Sequence, residues 1–163
     1  MVFGVVIGVV VTNLWHFVTR RHPLDALTGV PTRHAAHDAL RDLRAGDAVV
    51  MVDLDELKAV NDAHGHAAGD DRLRSLAAHL SRGVRAGDTV ARWGGDEFVI
   101  VLRAGGNAAA EVVERLRACA PVEFSAGIAV HATGDGQATL TRADNALLAA
   151  KRRGGSLVVE AEG

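Results

Sequence analysis

Two groups of carboxylates stand out as residues able to do chemistry: Asp53-Leu54-Asp55-Glu56 and Gly94-Gly95-Asp96-Glu97. The first closes an apolar run, residues 48–54 (AVVMVDL). Its acids therefore leave the end of a rigid strand, a usual ligand position at the open edge of a sheet. The second sits in a turn whose paired glycines let the backbone approach a bulky ligand. Carboxylates gathered from both would repel, and a divalent cation relieves the repulsion; carboxylates plus phosphate oxygens are the common Mg2+ environment. Taken singly, either group better fits acids that are merely solvated or capping at a strand end or turn. Other chemistries find no support. Asp53-x-Asp55 opens like a Ca2+ loop, but Lys58 stands where that loop needs glycine. His64 and His66 lack the i, i+4 spacing of a helical zinc pair. They read as turn histidines, and His34 and His37 as solvent-facing. Neither G-x-x-x-x-G-K-[ST] nor G-x-G-x-x-G occurs.

The elements that must position these acids alternate between helix and strand. Thr32 is placed to cap a helix with Ala36, Ala39, Leu40 and Leu43 on one face, stopped by Gly46. The apolar run 48–54 reads as a buried strand. Helices follow over residues 57–63 and 70–80, the second burying Leu73, Leu76, Ala77 and Leu80. Residues 89–91 and 98–102 flank Gly94-Gly95 as a β-hairpin. Residues 108–118 read as a helix and 122–130 as a strand. A helix over 141–152 carries Thr141 and Asp144 as a capping box, and a last strand covers 157–160. The pattern implies an α/β or α+β domain with a mixed sheet.

The whole chain has 163 residues, enough for one domain with an appendage. With 48% hydrophobic and 23% charged residues it builds a core and is not disordered by composition. Lys and Arg number 18 against 20 Asp and Glu, a net charge of −2 that offers no basic excess for a nucleic acid polymer. The single cysteine, Cys119, excludes an internal disulfide and a multi-cysteine zinc site, and fits a reducing compartment.

Residues 1–19 carry no charged side chain, and Arg20 and Arg21 follow directly. As a helix this run would span about 28 Å, close to a bilayer core. Trp15 and Phe17 stand where an interfacial belt would lie, and Gly4 and Gly8 form a G-x-x-x-G pair. A cleaved signal peptide fits poorly, having neither basic n-region nor A-x-A-like site. The expectation is an apolar helix over 1–22, a membrane anchor through residues 1–19, with the arginines holding the remainder in the cytoplasm. A partner-packing helix is the alternative, and Thr12, Asn13 and His16 favour it.

Five ordered motifs resemble the GGDEF domain family of diguanylate cyclases. They are Asp25-Ala26-Leu27-Thr28-Gly29-Val30-Pro31-Thr32-Arg33; the block from Asp53 to Asp70 (DLDELKAVNDAHGHAAGD); Arg92-Trp93-Gly94-Gly95-Asp96-Glu97-Phe98; Ser125-Ala126-Gly127-Ile128-Ala129; and Ala143-Asp144-Asn145-Ala146-Leu147-Leu148-Ala149-Ala150-Lys151. The resemblance covers about residues 25–156, far more than one short motif. The resemblance implies a palm-like α/β (α+β) fold: a mixed, mostly antiparallel central sheet flanked by helices, here over residues 23–163. It implies condensation of two GTP into cyclic di-GMP with release of two pyrophosphates, by two domains meeting face to face as a homodimer.

By motif position, Asp53, Asp96 and the Leu54 carbonyl would hold Mg2+ or Mn2+, and Asp96 with Glu97 would activate the 3′-hydroxyl. Lys58 and Lys151 would meet phosphate, Asn61 and Asp70 would read the guanine edge, and Gly94 and Gly95 would make room for the nucleotide. Arg85-Ala86-Gly87-Asp88 matches the family's R-x-x-D inhibitory site, so Arg85 and Asp88 would bind the product back. The implied location is a bacterial inner membrane, crossed once, with the catalytic domain in the cytoplasm. The short chain leaves an expectation of an anchor plus a near-minimal domain, with no sensor segment before Pro23. Four positions depart from the family pattern: Thr32 for Asn, Leu57 for Phe, Leu148 for Tyr, and Gly155 where a second phosphate-binding arginine is usual. Losing one such contact costs about 1.5–3 kcal/mol, which implies weaker GTP binding. The competing readings are a non-enzymatic cyclic di-GMP receptor acting through Arg85 and Asp88, and a membrane interaction module with a vestigial site.

Overall fold

A computed structural model of the chain describes residues 22–103, 106–155 and 158–160. Its elements are α1 (Arg33–Arg41), β1 (Ala48–Leu54), α2 (Leu57–His64), α3 (His66–Gly83), β2 (Thr89–Gly94), β3 (Glu97–Leu102), a 3-10 turn (Gly106–Ala108), α4 (Ala109–Ala118), β4 (Phe124–Val130), α5 (Gly136–Arg152) and β5 (Val158–Glu160). One five-stranded sheet runs in the order β2-β3-β1-β4-β5. The pairs β2–β3, β3–β1 and β1–β4 are antiparallel, and only β4–β5 is parallel.

β1 is buried along its whole length, which is why it reads as unbroken apolar residues rather than as an alternation. Val50, Val52 and Leu54 meet Leu73, Leu76 and Leu80 of α3 in one core. Val49 and Met51 meet Leu40 of α1 and Leu140 and Leu147 of α5 in the other. The sheet is thus covered on both faces, and both carboxylate groups emerge at one end of its central strands.

Three local expectations are corrected. α5 begins five residues earlier than the Thr141–Asp144 pattern predicts, capped by Asp135, whose side chain accepts from the Gln137 N–H. Thr141 Oγ1 instead donates to the Gln137 carbonyl within the helix. Thr32 stands at the start of α1 but makes no side-chain cap bond. The hairpin turn is Gly95-Asp96 rather than Gly94-Gly95, because Gly94 pairs with Glu97 as the last rung of the ladder.

The expected anchor over residues 1–22, with Gly4, Gly8, Trp15 and Phe17, falls almost wholly outside the described residues; only His22 is among them. Among the described residues no helix is long and apolar enough to cross a membrane. The single-pass inner-membrane location is therefore corrected. The eighteen-residue α3 has the length of a span, but it carries Asp70, Asp71, Arg72, Arg74 and Arg82 around one apolar stripe, the pattern of a surface helix packed on a sheet.

Candidate active site

Antiparallel pairing of β1 with β3 sets Asp53 directly opposite Glu97, and the Leu54 N–H donates to the Asp96 carbonyl at 3.1 Å. Two clusters far apart in sequence therefore share one sheet end. From the last turn of α5, Lys151 Nζ reaches Asp53 Oδ1 at 2.6 Å. Ser125, fully buried on β4, donates its hydroxyl to Asp55 Oδ1 at 2.7 Å, and the Asp55 N–H donates to the Glu123 carbonyl. A cavity of about 370 Å³ lies among these groups, lined by Asp53, Leu54, Asp55, Lys58, Asp96 and Lys151.

Burial raises the Asp53 carboxyl above its ordinary value; Asp96 and Asp55 add to this, and Lys151 opposes it. The Glu97 carboxyl is raised in the same sense, by burial first and then by Asp53, Asp144 and Asp96. These acids resist ionising together, which is the electrostatic condition for holding a cation. Asp53 Oδ1 fits one in another respect. It is buried, with the Lys151 ammonium as its close partner. Among the described residues no three or more His, Cys, Asp or Glu side chains are arranged to hold a metal by themselves. The residues therefore fit a hard cation that takes one or two carboxylates and draws its remaining oxygens from backbone, water and phosphate.

The hairpin is held by long-range contacts. Arg92 donates from Nε and Nη2 to the Gly95 carbonyl and from Nη1 to Asp25 Oδ1 at 2.9 Å. A bulge at Trp93 interrupts the ladder, and its ring packs partly buried against the second core, where Arg33 stacks on it at 4.7 Å and His37 lies 5.0 Å away. Arg33 Nε also donates to the Trp93 carbonyl, and a Cβ on Gly94 would come within 3.2 Å of Arg33 Nη2. Gly95 takes a φ of 53°, in the left-handed region that favours glycine.

Asp25 carries a pH signature. Burial opposes its ionisation, but hydrogen bonds from the Thr28 hydroxyl and N–H and from Arg92 outweigh burial and hold its carboxyl below its ordinary value. A depressed carboxyl stabilises the fold above its unfolded value, and that contribution is lost as pH falls through the folded value. Asp25→Asn should therefore lower stability by about 1–2 kcal/mol at neutral pH. The difference from wild type should vanish in acid, read by urea unfolding across pH 2–7; a pH-independent difference would contradict the assignment.

Glu56, between β1 and α2, has φ 60° and is the only non-glycine residue with positive φ among those described. It turns the chain sharply out of the strand, and such strain concentrates at functional sites. Glu56→Val should cost about 1–2 kcal/mol, whereas Glu56→Gly should be neutral or better, in thermal unfolding.

Asn61 lies on α2 and Asp70 on α3. A Cβ on Gly69, beside Asp70, would come within 2.0 Å of Asn61 Oδ1, so only glycine permits this approach. Asn61 Oδ1 is buried without a hydrogen-bond partner. Neither Asn61 nor Asp70 lines the carboxylate cavity. Arg85 and Asp88 lie apart from it, beside a groove of about 480 Å³. There Asp88 is nearly buried, accepting from the Arg103 N–H at 2.9 Å and the Arg85 N–H at 3.2 Å, while Arg85 is exposed and donates to the Arg103 carbonyl.

Sequence reasoning missed Ser125 as the partner of Asp55, and Arg33 and Arg92 as hairpin straps. Ser125 had a signal: it is the one hydroxyl in an otherwise apolar strand, FSAGIAV. The arginines had none beyond their motif membership.

Carboxylates and a lysine thus meet at one end of a mostly antiparallel sheet, beside the β2–β3 hairpin. The chain belongs to the GGDEF family: the family model described as diguanylate cyclase, GGDEF domain, matches residues 23–156. It is 40% identical over 151 residues to diguanylate cyclase DgcP of Pseudomonas aeruginosa, covering 80% of this chain and 22% of that protein. The chain thus spans about a fifth of that relative's length. Its structure is similar to diguanylate cyclase SiaD of Pseudomonas aeruginosa, solved in complex with its activator SiaC. The TM-score is 0.82 at 30% identity, over 98% of this chain and 69% of that one. It is also similar to the GGDEF domain of DgcB from Caulobacter crescentus, solved with cyclic di-GMP. That TM-score is 0.80 at 28% identity, over 88% and 98%.

Proposed function

We propose that residues 23–163 form a diguanylate cyclase domain that condenses two GTP into cyclic di-GMP as a face-to-face homodimer. The observation that supports this most is the convergence of Asp53, Asp96, Glu97 and Lys151 at one end of the sheet. Asp53, Asp96 and the Leu54 carbonyl would hold Mg2+ or Mn2+, which when bound neutralises the triphosphate and acidifies the attacking hydroxyl. Glu97, beside Asp96 with a raised carboxyl, is suited to accept the proton of the 3′-hydroxyl. Lys58 and Lys151 reach the cavity as phosphate partners. Asn61 and Asp70 would read the guanine edge, the Asp70 carboxylate accepting from N1–H and N2–H, a donor pair that adenine lacks. Gly94 and Gly95 keep the hairpin thin where the nucleotide passes.

Arg85, with its side chain largely in solvent, is the R-x-x-D residue open to product. Asp88 is engaged with the backbone at Arg103 and Arg85, so in this reading it shapes the site and yields a lone pair to guanine only when those bonds rearrange.

The test is incubation of the protein with GTP and Mg2+ or Mn2+ at high protein concentration, with cyclic di-GMP read by chromatography. Product formation that rises steeply with protein concentration is expected. Absence of product, with cyclic di-GMP still bound by the Asp96→Ala variant, would replace the enzyme by a receptor.

A further inference from the structure

Lys151 stands on the carboxylate that a cation would need. Its Nζ is 2.6 Å from Asp53 Oδ1, a buried oxygen. An ammonium and a divalent ion beside the same oxygen would repel strongly in a partly buried site, so the two exclude one another. The lysine is free to leave. Its side chain is 41% exposed, and it sits in the last turn of α5, followed by Gly154 and Gly155 with φ of 111° and 76°. Both glycines also line the cavity.

We propose that Lys151 holds the metal seat in the nucleotide-free protein, so that a divalent cation is admitted together with a nucleotide triphosphate rather than alone. The triphosphate offers the ammonium a new partner of higher charge, and Asp53 Oδ1 is released to the cation that the same nucleotide carries. This rests on the nucleotide-site reading above and adds an order of loading to it. The lysine offsets the charge of buried Asp53 before substrate arrives, and lowers the affinity of the site for free metal.

Mn2+ titration of the full chain without nucleotide, followed by electron paramagnetic resonance of the free ion, tests the idea. Lys151→Met should bind Mn2+ about tenfold more tightly than wild type, as expected from removing one competing charge-assisted contact. Adding Asp53→Asn to Lys151→Met should abolish that gain. Arg152→Met makes the same change of net charge on an exposed neighbour and should leave wild-type affinity. A saturating non-hydrolysable GTP analogue should tighten Mn2+ binding in wild type more than in Lys151→Met. Equal or weaker Mn2+ binding by Lys151→Met, or an equal gain in Arg152→Met, overturns the proposal. Failure of wild type to bind the analogue would instead overturn the nucleotide-site reading, while the nucleotide-free titration still decides whether Lys151 guards Asp53.

Discussion

Asp53→Asn should abolish measurable turnover while leaving the metal-free fold at least as stable as wild type. The carboxylate lies at the end of a fully buried strand, opposite Glu97 and close to Asp96, and its charge is what a cation would be drawn to. Removing it deletes a metal-oxygen contact worth several kcal/mol in the transition state, a rate loss on the order of a thousandfold or more. Stability should move the other way. Burial and the neighbouring acids raise the Asp53 carboxyl above its ordinary value. For an acid shifted upward, the folded state binds the proton more tightly than the unfolded state does. The cost of ionising it appears as pH rises above the unfolded value and is fully present above the folded one. Asparagine carries no such cost, so the variant should melt a few degrees higher than wild type at pH 7 without metal. That advantage should disappear near pH 3. Differential scanning fluorimetry with and without Mn2+ reads both effects: Mn2+ with the GTP analogue should raise the melting point of wild type and not of the variant. Full activity in Asp53→Asn would remove Asp53 from the site, and a melting point well below wild type would show the residue to be structural.

Gly127→Val should unfold or severely destabilise the domain, by about 3 kcal/mol or more. α5 crosses β4 so closely at this point that a Cβ on residue 127 would lie 2.1 Å from the Leu147 N and 2.2 Å from the Ala143 carbonyl oxygen. These are backbone atoms, so no rotamer change relieves the overlap; the helix itself must move off the sheet. The displacement matters twice, because α5 covers Val49 and Met51 with Leu140 and Leu147 and also carries Lys151 to Asp53. Gly46→Ala separates packing from backbone strain: its φ is 88° but a Cβ there meets nothing within 4 Å, so only conformational strain of about 1–2 kcal/mol is expected. Urea midpoints give the comparison. A Gly127→Val protein as stable as Gly46→Ala would show that the helix can shift freely, and would undo the argument that its close seat on β4 sets the position of Lys151.

Much of the fold was legible in the chain because burial leaves a direct mark on residue type. β1 lies against helices on both faces, so AVVMVDL reads as one apolar run, and its observed limits coincide with that run. α3 shows its inner face at Leu73, Leu76, Ala77 and Leu80, all buried as the helical period requires. The start of α5 was misread because Thr141 and Asp144 match a capping pattern, while the residue that caps, Asp135, stands a turn and a half earlier beside Gly134 and Gly136. Local chemistry offered two candidate starts, and the packing of Gly136 against the Leu40 carbonyl of α1 belongs to the earlier one.

By itself the sequence determined which residue types are available for chemistry, which segments are buried, and membership of the GGDEF family, since motif order and apolar period are written in one dimension. Tertiary structure decided what those residues do to one another. Antiparallel register brings Asp53 opposite Glu97, α5 sets Lys151 on Asp53, and Ser125 holds Asp55. It also engages Asp88 with the backbone at Arg103 and places Arg92 between Asp25 and Gly95. The physical reason is that charge interactions and hydrogen bonds act over a few ångströms of space, whereas several of these partners lie far apart along the chain, Asp25 and Arg92 by 67 residues and Asp55 and Ser125 by 70.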